Sequence, residues 1–390
     1  MRRKDRTPVI CGIGLSDYPK APHLDARRHQ AQSLQRALAD SGVRKQDIDG
    51  LAVAEAWIPG VPGSDLPETQ EFLGIDAKWL DGTYTGGSAY EYHLQHAAAA
   101  IEQGLAHTIV LTYGSDLLTR MGRTLGTGYS RPPVGAQQYE VPFGNPTVSA
   151  YALAAQRHMY EYGTTSEQLA EIAVGVREYA QYNPNAIYRK PLTVDDVVNS
   201  RMVSDPLHMF DCCAITDGGG TVIVTTEERA LDLKQPPVHI LGTAARSRYW
   251  SVSQAPDLTT TAGDLAGPEA FAQAGLSPSD IDMVMLYDSF TITVLMLLES
   301  LGFCPRGEGG RFVQEGHLRK GGSLPLNTDG GGLSSCHPGL RGIFLLIEAT
   351  RQLRGQAGDV QVPGCDVALA AGSGGWLSTI GVSILGRNAA

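Results

Sequence analysis

Short apolar runs alternate along the chain with longer stretches whose apolar positions recur every three or four residues. Pro8-Val9-Ile10-Cys11-Gly12-Ile13-Gly14 reads as a buried strand, and the stretch ending Ala37-Leu38-Ala39-Asp40-Ser41-Gly42 as a helix stopped by glycine. Four residues later Asp47-Ile48-Asp49-Gly50 opens a second strand, Leu51-Ala52-Val53. The same order returns further on. Pro237-Val238-His239-Ile240-Leu241-Gly242 is a strand, and Ala270-Phe271-Ala272-Gln273-Ala274-Gly275 ends a helix. After the same interval Asp280-Ile281-Asp282 opens Met283-Val284-Met285-Leu286. Both copies continue alike. Gly86-Gly87-Ser88 precedes an alanine-rich helix from Ala89 to Gly104 and a strand from Thr108 to Tyr113. Gly330-Gly331-Gly332 and His337-Pro338-Gly339 precede a helix from Leu340 to Leu353 and a strand from Asp366 to Ala371. A duplicated succession of strands and helices predicts two similar α/β halves, residues 1–230 and 235–390, built from right-handed crossovers and mostly parallel sheets.

Residues 116–204 interrupt this rhythm. From Gly122 to Pro146 the chain is rich in Gly, Pro and Tyr, whereas Ala150, Leu153, Ala154, Leu169, Ile172, Ala173 and Val176 mark the stretch from Ser149 to Tyr182 as helical. An insertion this long predicts a lid, a binding loop or an oligomer contact. Tyr129 and Tyr139 are candidates to line a substrate entrance or a dimer contact. Composition narrows the class. The 390 residues are 42% hydrophobic and 18% charged, as in globular chains. With 31 basic against 41 acidic side chains, a net charge of −10, non-specific nucleic-acid binding is disfavoured. No apolar run reaches the roughly 18 residues of a membrane span. The basic start, Met1 to Arg6, leads into a strand and not into a signal-peptide core. Six cysteines without a Cys-x-x-Cys pair suggest neither a disulfide framework nor a zinc site. The expectation is a soluble, reduced, cytoplasmic protein that binds neither nucleic acid nor membrane.

Glycine is the outlier, 46 residues with clusters at 86–87, 218–220, 330–332 and 374–375. Glycines at strand ends are places where backbone comes close to a ligand or to other backbone. Around them lie five motifs: Thr83-Tyr84-Thr85-Gly86-Gly87-Ser88-Ala89; Asp205-Pro206-Leu207 with Asp211-Cys212-Cys213 and Thr216-Asp217-Gly218-Gly219; Tyr287-Asp288-Ser289-Phe290; Asn327-Thr328-Asp329-Gly330-Gly331 running into Cys336-His337-Pro338-Gly339; and Gly372-Ser373-Gly374-Gly375. In this order the chain resembles, over essentially its whole length, the thiolase superfamily, in particular the sterol-carrier/lipid-transfer branch with its thiolase-like steroid side-chain aldolases. The resemblance implies duplicated α-β-α-β-α layers, active-site loops meeting where the halves join, and acyl-CoA thioesters as substrates. It also implies a homodimer and, for the aldolases, a small zinc-ribbon/OB-fold partner that binds acyl-CoA. No cofactor is expected on this chain, coenzyme A being part of the substrate.

Thiolases use four catalytic groups, and the resemblance carries over one, the His-Pro-Gly histidine, His337. Tyr84 matches the neighbourhood of the nucleophilic cysteine, Tyr287 stands where that family has the asparagine that holds a catalytic water, and Leu369, Ala370 and Ala371 occupy the region of the second cysteine. Thiolysis of a 3-ketoacyl-CoA requires a nucleophile, for which a thiolate is suited and a phenol is not. Retro-aldol cleavage of a 3-hydroxyacyl-CoA requires only proton transfer and an oxyanion site. The expected activity is therefore a carbon–carbon lyase. Tyr287 and Tyr84 are its acid/base groups and His337 the donor to the thioester oxygen. Gly86, Gly87, Asp288, Gly331, Gly374 and Gly375 are candidate oxyanion or substrate-binding positions. Two alternatives stand beside it: an acyltransferase using Cys336 as a displaced nucleophile, and a non-catalytic acyl-CoA or lipid-binding subunit. His93 and His96, three apart on one helix, lack a third metal ligand nearby, so no metal is expected.

Overall fold

The structure, a computed structural model, describes residues 6–54, 66–122, 134–144 and 147–389; Tyr129 lies outside them. The first half runs β1 (Pro8–Leu15), α1 (Ala26–Ser41), β2 (Gly50–Ala52), α2 (Leu66–Leu73), β3 (Trp79–Asp81), α3 (Ala89–Gln103) and β4 (Thr108–Ser115). The insertion follows with α4 (Leu117–Met121), α5 (Gln137–Glu140), α6 (Thr147–Tyr162), α7 (Ser166–Ala180) and α8 (Val194–Val198), then the small hairpin β5 (Met202–Ser204) and β6 (Leu207–His208). The half closes with β7 (Gly218–Thr226) and α9 (Glu227–Ala230). The second half comprises β8 (Val238–Ser247), α10 (Gly263–Ala274), β9 (Met283–Leu286), α11 (Thr291–Ser300), α12 (Gly309–Gln314), α13 (Gly342–Leu353), β10 (Val367–Gly374) and β11 (Thr379–Gly386).

Nine strands hydrogen-bond in the order β3-β2-β4-β7-β1-β8-β11-β10-β9. Read outward from the β1–β8 junction the order is palindromic. β7 and β11 run antiparallel to β1 and β8, β4 and β10 antiparallel to those, and β2 and β9 parallel to β4 and β10. Even β3, parallel to β2, has a counterpart in the parallel bridge from Val284 to Leu326. The expected mostly parallel sheet is thus corrected to a mixed one. A parallel neighbour needs a crossover of a dozen or more residues, and the turn between Gly374 and Thr379 is too short, so β11 must return along β10.

The repeated Asp-Ile-Asp has a physical cause. Asp49 accepts the amides of His107 and Thr108, both at 2.8 Å, at the start of β4. Asp282 accepts those of Asp366 and Val367, again at 2.8 Å, at the start of β10. Each carboxylate pins the neighbouring strand where its donors would otherwise be orphaned. The preceding glycines, Gly42 and Gly275, take the left-handed cap that ends α1 and α10.

Strand alternation sorts the core into layers. Val9, Cys11, Val110 and Ile223 pack under α1, whereas Ile10, Ile109, Leu111, Val222 and Val224 face inward. On the other side Leu369, Ala371, Val382 and Ile384 join the core containing α10 and α11, and Ala368, Ala370 and Leu385 face inward. Helices α3 and α13 fill the space between and touch strands of both halves, which gives the expected α-β-α-β-α layering. The two long helices of the insertion, α6 and α7, are separated by Gly163 and re-started by a capping box at Thr165. Both pack on α11 of the second half, where His158 of α6 meets Glu299 at 3.1 Å in full burial. Among the described residues no helix is long and apolar enough to cross a membrane.

Candidate active site

Strand phase delivers the central residue. Met283 and Met285 of β9 point at α3 and α13 while Val284 and Leu286 point away, so Tyr287 continues the inward series. Its amide donates to Ala371 O at 2.9 Å, which fixes the strand end against β10. The phenol lies 3.0 Å from His337 Nε2 and 3.1 Å from Gly339 O, and it accepts the Arg341 amide at 3.3 Å. The two rings meet edge to face, centroids 5.5 Å apart. Burial pushes the Tyr287 phenol well above its ordinary pKa. Burial first, then the Arg341 charge, pulls His337 down to about 4 although its edge keeps some contact with solvent. At neutral pH the pair is therefore an un-ionised phenol beside a neutral imidazole, which can pass a proton between them.

A buried charge network carries the His337 loop. Arg341, wholly buried, reaches both oxygens of Asp329 at 2.7 Å and the Cys336 carbonyl at 2.6 Å. Asp288 lies 3.3 Å from Arg341 Nε and accepts the amides of Gly332 at 2.8 Å and Leu333 at 3.1 Å. Both oxygens of Asp288 are thereby committed to the turn at 331–335. Burial raises its carboxyl to about 6 against the opposing pull of Arg341. The expectation that Asp288 binds substrate is corrected: it clamps the glycine turn from beneath, because a desolvated carboxylate takes the nearest amides and guanidinium. Gly331 is corrected likewise. Its amide donates to Asp329 at 2.9 Å, and at φ +63° a Cβ would run into the Asp288 carboxylate. It makes room for Asp288 and has no free amide for a ligand.

The other glycines meet Tyr287 directly. A Cβ on Gly87 would overlap the Tyr287 ring and the Ser373 carbonyl, and one on Gly374 would overlap the Thr85 carbonyl. The Gly86–Gly87 turn and the Gly374–Gly375 turn, one from each half, therefore interlock beside Tyr287. Tyr84 sits further out. It precedes the first residue of α3 by five positions, keeps 38% of its surface exposed and leans on Trp250 at 6.5 Å between centroids. Among the described residues no hydrogen bond joins it to Tyr287 or His337. Cys336 makes no hydrogen bond to either member of the pair among the described residues. Its sulfur lies 3.2 Å from Thr216 Oγ1, and burial pushes the thiol up to about 12. Burial thus keeps this thiol protonated, which disfavours it as a nucleophile. His96 turns to Asp81 at 2.7 Å and His93 to the Thr83 carbonyl at 3.0 Å.

Two tyrosines escaped the sequence reading. Tyr113 of β4 donates to Pro338 O at 2.7 Å and accepts the Leu340 amide at 3.2 Å, so it grips the His337 loop from the first half. Its place in phase with Ile109 and Leu111 is the signal that points it inward. Tyr151 of α6 reaches the Gly375 carbonyl at 3.1 Å; the helical spacing of its stretch gives it a face but not the turn from the other half that it meets. Open clefts lie on the insertion side. One is lined by Arg248, Tyr249, Trp250 and Ser251 and adjoins Tyr84, and another is lined by Tyr139, Phe143 and Leu153.

Layering, palindromic strand order and two interlocked glycine turns define a thiolase-type fold with its site at the join of the halves. The thiolase C-terminal domain-like family matches residues 244–387. A steroid side-chain-cleaving aldolase of Thermomonospora curvata is 35% identical over 94% of this chain and 95% of its own. An acetyl-CoA acetyltransferase of Methanothermobacter thermautotrophicus is 40% identical over 98% of this chain and all of its own. Among solved structures, the Ltp2-ChsH2(DUF35) aldolase superposes with a TM-score of 0.87 at 34% identity, covering 98% of each chain. The chain belongs to the thiolase superfamily, in its sterol-carrier/lipid-transfer branch alongside the steroid side-chain aldolases.

Proposed function

We propose that this chain cleaves a 3-hydroxyacyl-CoA by retro-aldol chemistry, with the Tyr287–His337 pair acting at the 3-hydroxyl. The lyase class follows the aldolase relatives. The observation that carries the chemistry is the 3.0 Å contact between the Tyr287 phenol and His337 Nε2, with burial favouring the neutral form of both groups. Tyr287 takes the 3-hydroxyl proton while passing its own to His337 Nε2. The bond between C2 and C3 then breaks, leaving a carbonyl product and a thioester enolate that must be protonated at C2. The interlocked turns at Gly86–Gly87 and Gly374–Gly375 bring backbone beside the pair, where amides serve the developing enolate oxygen. Tyr84, on the rim with Trp250 and Arg248, lines the approach of the acyl-CoA. His337, expected to donate to the thioester oxygen, is read here as the proton acceptor, because its Nε2 faces Tyr287.

A bulky, ring-bearing acyl group is the substrate suggested by the steroid-cleaving relative. A DUF35-type subunit, as in the solved aldolase complex, and a second copy of this chain are the proposed partners. The test is direct. The purified chain, alone and with a DUF35-type subunit, is given a ring-bearing 3-hydroxyacyl-CoA and a 3-ketoacyl-CoA. The expected result is a carbonyl compound and a shortened acyl-CoA from the hydroxy substrate alone. CoA-dependent thiolysis of the keto substrate, with the hydroxy one untouched, overturns the proposal.

A further inference from the structure

Retro-aldol cleavage moves protons at two places, the oxygen on C3 and the carbon C2. Tyr287 and His337 serve the first. The Tyr287 phenol is already shared among His337, Gly339 and Arg341, so a second group is needed at C2. Building on the retro-aldol reading, we infer that Tyr151, on helix α6 of the insertion, is that group: its phenol protonates the enolate carbon, with the Ser373 hydroxyl beside it to hold the enolate oxygen.

The argument rests on position. Tyr151 is buried, with its ring against Phe290 at 4.4 Å and Trp376 at 6.1 Å between centroids, so the phenol has one direction to point. It reaches Gly375 O at 3.1 Å, within the glycine turn that interlocks with Gly86–Gly87. The Ser289 and Ser373 hydroxyls lie next to it. Ser373 is the connecting residue. Its carbonyl abuts Gly87, as does the Tyr287 ring, so Ser373 borders both the Tyr151 phenol and the turn packed on Tyr287, and the two phenols are close enough to act on each other electrostatically. Ser373 Oγ is buried and has the Tyr151 phenol as its polar neighbour, with no other hydrogen bond among the described residues. A buried hydroxyl with spare hydrogen-bonding capacity is suited to donate to the oxygen of a thioester enolate. Burial pushes Tyr151 up to about 12, which keeps the proton on the phenol until a base as strong as an enolate carbon arrives. Tyr84 is a poorer candidate on the same grounds, being exposed on the rim.

The step balances. The hydroxyl proton goes to His337 through Tyr287, the electron pair of the C2–C3 bond becomes the enolate, and the Tyr151 proton goes to C2. The Tyr151 phenolate and the His337 imidazolium then re-equilibrate through water, with no oxidant or reductant.

The reverse of the C2 step gives the test. In D2O the wild-type enzyme should exchange the C2 hydrogens of a shortened acyl-CoA product for deuterium, read as a mass increase. Tyr151→Phe should slow both exchange and cleavage by about 100-fold or more, whereas Tyr287→Phe should lose cleavage and still exchange. Exchange at the wild-type rate in Tyr151→Phe, or its loss in Tyr84→Phe instead, overturns the inference and leaves the retro-aldol reading standing. A wild-type enzyme that cleaves no 3-hydroxyacyl-CoA overturns both. If the phenylalanine variant does not fold, Ser373→Ala leaves the ring in place and must itself slow exchange; unchanged exchange there overturns the inference.

Discussion

At the residue scale the site is governed by which groups stay neutral. His337 holds its proton only below about 4, because burial and the Arg341 charge oppose the imidazolium. As an acceptor it is therefore competent above that value and lost as pH falls through it. The acid limb of kcat/KM should lie near pH 4 to 5, well below the 6.5 of an unperturbed histidine; a profile from pH 3 to 9 measures it. The sign for stability is the same. The unfolded imidazole takes up its proton near 6.5, before the folded one does, so acidification from 6.5 towards 4 favours unfolding. Replacing His337 by Gln should flatten that part of the melting-temperature curve. Cys336 provides the contrast. Its buried thiol contacts Thr216 and shares a core with Phe344, so Cys336→Ala should cost about 1 kcal/mol or more of stability and leave cleavage within about twofold. Mass spectrometry should find no acyl group on Cys336 of the wild type.

At the scale of elements, the candidate site is held by two glycine turns and one ion network. An alanine at Gly374 would drive its Cβ into the Thr85 carbonyl, which is backbone and cannot swing aside. Overpacking of this kind costs about 1–3 kcal/mol, and moving Ser373 and Gly375 by even about 1 Å can cost roughly 100-fold in rate. Denaturant midpoint and kcat should therefore fall together in Gly374→Ala. Arg341→Met should be worse for stability, by about 3–5 kcal/mol, since Asp288 and Asp329 would be left without their counter-charge; thermal melts decide it. The duplication and the strand ends were legible because local rules repeat: Asp49 and Asp282 do one job at two addresses, and Tyr287 continues the phase of Met283 and Met285. The network was not legible. Arg341 stands in a motif that reads as an ordinary helix start, and of its two carboxylates Asp329 lies 12 residues before it while Asp288 comes from the strand end after β9. The Tyr113 grip on Pro338 spans 225 residues, and Tyr151 reaches Gly375 across 224. Contacts of that range are made by tertiary packing, and no local pattern encodes them.

At the scale of the molecule, charge and edges bear on what this chain needs beside it. Among the described residues β3 is the last strand of the sheet, with Leu80 40% exposed, and an edge strand is where the proposed second copy would pair. Coenzyme A brings several phosphate charges to a chain of net −10, and the cleft adjoining Tyr84 offers Arg248 against them. Long-range repulsion of that sort is screened beyond about 8 Å at physiological ionic strength, so it weakens capture of the substrate more than its chemistry once bound. A DUF35-type subunit that supplies the phosphate contacts should consequently act on KM. Adding it to the purified chain should lower KM for the acyl-CoA by about tenfold, an interaction of roughly 1.4 kcal/mol, with a smaller change in kcat. For the chain alone, raising salt should lower KM by relieving the repulsion. An isolated homodimer with a low KM that neither salt nor partner alters would show that the phosphate contacts are already built into this chain.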